Sequence, residues 1–158
     1  MVVVADSSPL RYLIVLGQQD LLPALFGEIW IPAAVLIELS ASSTPVGVRL
    51  FLENPPGWLK VRDPSEETVQ TISAELDRGE RAALALAREL NADLVLLDDA
   101  AARSEATSLG FRITGTVGLL RLAAERGLIN VPAIVGQLRQ SGFYLSDSLI
   151  RAAFDEWL

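Results

Sequence analysis

The chain has 158 residues, of which 51% are hydrophobic and 21% are charged, and its formal net charge is -7 at pH 7. This composition excludes a disordered chain and suits one folded domain over residues 1–158. The chain contains no Cys and no His, which excludes disulfides, thiol chemistry and the common zinc sites. The acidic balance, taken alone, argues against a protein that coats nucleic acid by charge.

The beginning of the chain predicts a buried strand rather than a targeting segment. Residues 2–5 are apolar and lack a preceding basic stretch, and the run ends at Asp6. Elsewhere, no apolar run approaches the ~18 residues that span a membrane. We therefore expect a soluble protein of the cytoplasm that makes no membrane contact.

Short apolar runs alternate with helical patterns along the chain. In the first half we predict strands at 2–5, 28–31 and 58–61 and helices at 10–16, 20–25, 33–39 and 46–53. In the second half we predict strands at 93–97 and 111–114 and helices at 65–76, 80–90, 100–109, 117–126, 133–140 and 146–157. Apolar strands between helices are typical of an α/β fold whose mostly parallel sheet is covered on both faces.

Carboxylates follow the predicted strands at positions that such a sheet would bring together. Asp6 ends the first strand, and the pair Asp98 and Asp99 ends the fourth. Ligands of open α/β sheets bind outside the carboxyl ends of the strands, so neighbouring strands would share these acids. Glu38 closes the helix after the second strand, and Glu80 begins the helix before the fourth. A cluster of oxygen ligands suits Mg²⁺ or Mn²⁺.

Each of these acids also has a purely structural reading. Asp6 and Asp98 can cap the helices that follow them, and Asp77 with Glu80 has the spacing of a capping box. Glu38 is harder to explain, because its helix is apolar nearly all round and a lone buried carboxylate is costly unless paired or metal-bound. The alternative reading places Glu38 at the solvent edge of that helix, where its carboxylate is not buried.

Three residues near the acids are candidates for substrate contacts. The hydroxyl of Ser7 follows Asp6 directly, and Thr116 stands between a strand end and a helix, where phosphate binds readily. Ordinary turn and helix-start chemistry explains both equally well. Arg11, near the first turn, is a candidate for a phosphate contact and is otherwise a solvated surface residue.

Five segments of the chain together resemble the PIN-domain family. They are VVADSSPL at 3–10, IWIPAAVLIEL at 29–39, LDRGERAALALA at 76–87, ADLVLLDDAAAR at 92–103 and GFRITGT at 110–116. Their order and spacing cover nearly the whole chain. The compact prokaryotic members akin to VapC toxins are the most similar group.

The resemblance implies an α/β/α sandwich that carries a Mg²⁺- or Mn²⁺-dependent ribonuclease, an endonuclease acting on RNA. Carried over, Asp6, Glu38, Glu80 and Asp98 are the catalytic metal ligands, with Asp99 as a neighbour or substitute. Thr116 matches a hydroxyl position near the family's pocket. We also expect a homodimer and, as in a toxin–antitoxin pair, a small antitoxin protein as a partner.

Two other functions fit part of the pattern. A phosphoacceptor receiver domain also gathers acids at strand ends, but it needs a Lys near its last strand, and the one Lys here is Lys60. A catalytically inactive PIN-like domain would keep its acids for capping and bind a protein partner through Phe143, Tyr144, Phe154 and Trp157. Core packing of the C-terminal helices is the simpler reading of those aromatic residues.

Overall fold

A computed structural model describes residues 1–41, 43–140 and 146–158. Within these ranges five strands form one sheet: β1 (Val3–Ala5), β2 (Ile29–Ile31), β3 (Leu59–Val61), β4 (Leu94–Leu96) and β5 (Ile113–Thr114). Their order across the sheet is β3-β2-β1-β4-β5, and each neighbouring pair is parallel. The expected α/β class is confirmed.

Helices connect the strands and cover the sheet. They are α1 (Ser7–Val15), α2 (Leu21–Phe26), α3 (Ala33–Leu39), α4 (Val46–Glu53), α5 (Glu66–Val69), α6 (Arg78–Leu90), α7 (Ala100–Ser108), α8 (Thr116–Glu125), α9 (Val131–Gln140) and α10 (Asp147–Phe154), followed by a 3₁₀ turn at Asp155–Trp157. In the part of the chain described, none of them is both long and apolar enough to cross a membrane.

Alternation along the strands divides the core into two layers. Val3 and Ala5 of β1 face a cluster formed mainly with α1, α3, α8, α9 and α10. Val4 of β1 and Val95 of β4 face a second cluster, formed mainly with α6 and α7. Because successive side chains point to opposite faces and both faces are covered, the strands are apolar throughout. This arrangement confirms the α/β/α sandwich implied by the family resemblance.

The helix expected over residues 65–76 is wrong in length, because α5 covers only its first turn. The guanidinium of Arg81 accounts for the early end: its Nη2 donates to the backbone oxygens of Val69 at 3.1 Å and Ile72 at 3.2 Å. These carbonyls therefore find partners without a continued helix. The chain turns at this point, and Ile72 is buried in the core on the α6 side of the sheet.

The strand order places the beginning of the chain at the centre of the sheet. From β1 the chain builds outward through β2 to β3, then returns to the other side of β1 for β4 and β5. Directly after β1, the N–H of Asp6 donates to the carbonyl of Leu96 at 3.0 Å. The direction of winding changes between β1 and β4, and in open parallel sheets the crevice at such a point binds ligands.

The C-terminal aromatic residues pack against the protein rather than forming an exposed surface. Phe154 is fully buried in the core, and Trp157 packs against that core while partly buried. Core packing is thus the correct reading of these two residues. Phe143 and Tyr144 lie outside the described residues.

Arg121 of α8 fastens the C-terminal helix to the domain. Its Nη1 donates to the backbone oxygens of Ala152 at 3.2 Å and Ala153 at 3.1 Å. Its guanidinium carbon also lies 5.8 Å from the centre of the Trp157 ring. A single side chain thus satisfies carbonyls near the end of α10 and covers the final aromatic residue.

Replacing Arg121 with Met should lower the free energy of unfolding by about 1–2 kcal/mol, because two carbonyls lose their charged donor. Arg126→Met is the matched control, since Arg126 is exposed at the end of the same helix. Urea unfolding of both variants tests this. An equal effect of the two substitutions would contradict the role given to Arg121.

Candidate functional site

Asp6 lies directly after β1, at the start of α1. It is 5% exposed, and its Oδ1 is buried without a hydrogen-bond partner among the described residues. Burial is the main cause that raises the pKa of Asp6 to about 7; the backbone N–H of Ser7 opposes this rise, and the negative charges of Glu38, Asp77 and Glu80 add to it. Asp6 is thus a buried carboxyl group surrounded by other acids.

Glu38 reaches the same place from the last turn of α3. Its Oε2 accepts a hydrogen bond from the hydroxyl of Ser7 at 2.8 Å. On its other side the carboxylate packs against Gly79, where any Cβ would collide with Oε1. Glu38 is exposed, so the expectation of a carboxylate buried in an apolar helix is wrong. Its side chain leaves the core at the solvent edge of α3 and turns toward Asp6.

Glu80 lies in the first turn of α6, and its capping reading is confirmed. The N–H of Asp77 donates to Glu80 Oε1 at 3.1 Å, and the N–H of Glu80 donates to Asp77 Oδ1 at 2.8 Å, which completes a capping box. Burial is the main cause of a raised pKa at Glu80, and the charges of Asp77, Asp99 and Glu38 add to it. The cap therefore also brings Glu80 among the other acids.

The two acids after β4, Asp98 and Asp99, make different contacts. Both oxygens of Asp98 accept from Thr116: Oδ1 from its backbone N–H at 2.7 Å and Oδ2 from its hydroxyl at 2.6 Å. Asp99 caps α7 by accepting from the N–H of Ala102 at 3.0 Å, and its charge helps to raise the pKa of Glu80. Asp98 therefore holds the start of α8, whereas Asp99 acts on Glu80.

We refer to Asp6, Glu38, Asp77, Glu80 and Asp99 as the acidic cluster. Its members come from four places in the chain: the end of β1, the end of α3, the start of α6 and the segment after β4. The charges of Glu38, Asp77 and Glu80 raise the pKa of Asp6, and the charges of Asp77, Asp99 and Glu38 raise the pKa of Glu80, so the members act on one another. Sequence reasoning had assigned Asp77 to capping alone.

The three candidates for substrate contact differ in position. Ser7 lies at the cluster, bonded to Glu38. Thr116 is fully buried and its hydroxyl donates to Asp98 Oδ2, while its expected substrate contact stays a prediction. Arg11 is exposed on α1 with its guanidinium carbon 6.0 Å from the centre of the Tyr12 ring.

The acidic cluster offers oxygen donors alone, which is the donor set of hard divalent cations. The unpartnered Oδ1 of Asp6 fits the role of a ligand, because a cation would compensate its burial. Among the described residues, however, no three acidic side chains stand close enough together to hold a metal ion. Two carboxylates are held in place by hydrogen bonds, Glu38 by the hydroxyl of Ser7 and Glu80 by the N–H of Asp77. Repulsion between the like charges also keeps the acidic side chains apart.

Sequence reasoning missed two glycines that shape the site. Gly79 leaves room for the carboxylate of Glu38 against α6. At Gly115 a Cβ would lie 2.6 Å from Asp98 Oδ1, so its absence lets Asp98 approach Thr116. Glycine is a poor helix former, so its place within the helical pattern was the available signal for a packing role at Gly79.

Comparison with known families matches residues 2–157 to the family model DUF3368, described as a PIN domain. This match includes all members of the acidic cluster and the whole of the sheet described above. No curated protein is significantly similar to the chain.

The raised pKa of Asp6, about 7, makes the stability of the cation-free protein depend on pH. An unfolded Asp titrates near pH ~4, so between these values the folded state holds more protons than the unfolded state. The free energy of unfolding should therefore fall as pH rises from about 4 to about 7. Asp6→Asn removes this titration and should be more stable than the wild type at pH 7.5, by on the order of 2–4 kcal/mol.

Urea unfolding in EDTA at pH 5 and pH 7.5 measures the effect. Asp20→Asn is the matched control, because Asp20 is exposed and its side chain makes no capping bond. The electrostatic description of Asp6 is wrong if the gap between Asp6→Asn and the wild type does not widen with pH.

Proposed function

The chain belongs to the PIN-domain family, and on that basis we propose that it is a metal-dependent endoribonuclease that hydrolyses RNA phosphodiesters. PIN domains are generally nucleases. The observation that carries the proposal is the buried, unpartnered oxygen of Asp6 among further carboxylates. These acids lie where a parallel sheet binds its ligands.

We propose that Asp6, Glu38, Glu80 and Asp99 would hold Mg²⁺ or Mn²⁺ after their side chains move together, since no three acidic side chains of the described residues stand close enough to do so in this conformation. When bound, such an ion polarises a phosphoryl oxygen and makes water a stronger nucleophile at neutral pH. Asp98, the other acid after β4, is a positioning residue in this proposal, because Thr116 occupies both of its oxygens.

The chain's own groups bind and orient in this proposal. The hydroxyl of Ser7 fixes one oxygen of Glu38, and the capping box fixes Glu80 at the start of α6. The absence of His means that no imidazole serves as general base. Proton transfer therefore falls to carboxylates and water.

We further propose that residues 1–158 act as one domain in the cytoplasm, as the toxin of a toxin–antitoxin pair. Val46 and Leu50 are 58% and 57% exposed on one face of α4. We propose these two apolar neighbours, one turn apart on α4, as the contact for either a second copy in a homodimer or a small antitoxin.

A second candidate is a catalytically inactive PIN-like domain that binds a protein partner. It is favoured by the structural use of the acids, since Asp77 and Glu80 form a capping box and Asp99 caps α7. The receiver-domain reading has no comparable support. Lys60 lies on the edge strand β3 and pairs with Glu28 at 3.5 Å, away from the acidic cluster.

Purified protein should cleave single-stranded RNA with Mg²⁺ or Mn²⁺ and stop when EDTA is added. Asp6→Asn should lower the rate by about 100-fold or more, because it removes a charge that stabilises the transition state through the cation. Asp20→Asn should cleave like the wild type. Metal-independent cleavage, or full activity of Asp6→Asn, would refute the carboxylate mechanism, and an inactive wild type would favour the second candidate.

Asp98 and Asp99 can be separated by asparagine substitutions. Asparagine caps a helix as well as aspartate does, so Asp99→Asn should keep the melting temperature in EDTA while lowering Mg²⁺ affinity about 10-fold or more. Asp98→Asn should lower the melting temperature, because its amide group replaces an acceptor facing two donors of Thr116. Calorimetric Mg²⁺ titration and thermal melts test both, and the reverse pattern would make Asp98 the ligand.

A further inference from the structure

Gly79 is the second residue of α6 and lies between Arg78 and Glu80. It is buried, and its φ is outside the left-handed region, so the backbone at this position does not require a glycine. Glycine is also a poorer helix former than alanine. The reason for a glycine here therefore lies outside the conformation of α6.

The side chain that Gly79 accommodates is that of Glu38. Apart from its chain neighbours and the backbone of α6, the three heavy atoms nearest to the position of a Cβ all belong to the Glu38 carboxyl group: Oε1, Cδ at 2.8 Å and Oε2 at 3.1 Å. A glycine that served only the packing of α6 on its neighbours would have backbone or core atoms at this place. Gly79 thus makes room for one polar side chain from another helix.

Two contacts hold the exposed side chain of Glu38. Its Oε2 accepts from the hydroxyl of Ser7 at 2.8 Å, and this is the one hydrogen bond of its carboxylate among the described residues. On the other side the carboxylate lies against Gly79. Glu38 is therefore held between the starts of α1 and α6, the two helix starts that also carry Asp6 and Glu80.

A Cβ at position 79 would displace Glu38 rather than disturb the fold. The atoms in its way are the end of a flexible, exposed side chain, which can turn toward solvent. Repulsion between Glu38 and the charges of Asp6 and Glu80 favours the same movement. Glu38 would then lie farther from the acids with which it has to share a cation.

We propose that Gly79 is a positioning residue for cation binding: it keeps the Glu38 carboxylate near Asp6 and Glu80, and the fold does not need it. This proposal rests on the metal-dependent function proposed above and adds a residue, outside the carboxylates themselves, that sets the cation affinity. The competing role of Gly79 is helix packing. In that case a substitution would weaken the fold along with the binding.

Calorimetric Mg²⁺ titration and thermal melts of Gly79→Ala separate these roles. The variant should bind Mg²⁺ about 10-fold more weakly than the wild type, or more weakly still, because one of the carboxylates is displaced. In EDTA its melting temperature should stay within about 4 °C of the wild type, the scale of a single hydrogen bond in a domain of this size. Alanine favours the helix, and this gain offsets the loss of the bond from Ser7.

Gly47→Ala is the matched control. Gly47 is also the second residue of its helix, α4, and the position of its Cβ is open, with no neighbouring side chain within 4 Å. The control should gain the same helix propensity and bind Mg²⁺ within about 2-fold of the wild type. Equal Mg²⁺ affinities of Gly79→Ala and the wild type, equal weakening by Gly79→Ala and Gly47→Ala, or a larger fall in the melting temperature of Gly79→Ala would each overturn the proposal.

The role of Gly79 and the nuclease function can fail separately. If the wild type binds Mg²⁺ but cleaves no RNA, and Gly79→Ala weakens the binding, the role of Gly79 stands and the nuclease function is wrong. If the wild type cleaves RNA with Mg²⁺ and Gly79→Ala binds the ion equally tightly, the nuclease stands and the role of Gly79 is wrong. A wild type that binds Mg²⁺ no better than scattered surface carboxylates would refute both.

Discussion

A buried carboxyl group with one unpartnered oxygen is the constraint around which this domain is organised. Asp6 follows the central strand of the sheet, and its backbone N–H is fixed by a bond to Leu96, so its carboxylate cannot readily leave the crevice. Its Oδ1 finds no donor among the described residues, and Glu38 and Glu80 add negative charge nearby. Such a group destabilises a fold unless it is protonated or a cation compensates it, and this requirement is the basis of the proposed cation site.

The structural roles of the acids and their proposed metal-binding role fall on the same residues. Glu80 completes a capping box and also lies in the acidic cluster, and Asp99 caps α7 while its charge acts on Glu80. Capping therefore provides a way to hold carboxylates at fixed positions against their mutual repulsion.

The sequence was most informative where one physical rule acts alone. Continuous apolar runs predicted the parallel strands because both faces of the sheet are covered, and the helix over 33–39 has the predicted bounds. The length of α5 could not be predicted, since Arg81 ends it from another helix. The gathering of Asp6, Glu38 and Glu80 followed from strand-end geometry, whereas the different roles of Asp98 and Asp99 depend on the side-chain contact with Thr116.

Proton-linked Mg²⁺ binding is the most direct test of a cation site built on Asp6. Isothermal titration at pH 6 in two buffers of different ionisation enthalpy gives the number of protons released per ion. The account predicts that the wild type releases about one proton per bound ion, because the pKa of Asp6, about 7, leaves it protonated before binding. It also predicts that Asp6→Asn loses both the binding and the release. Binding that is no stronger than that of scattered surface carboxylates, or that Asp6→Asn leaves unchanged, would contradict it.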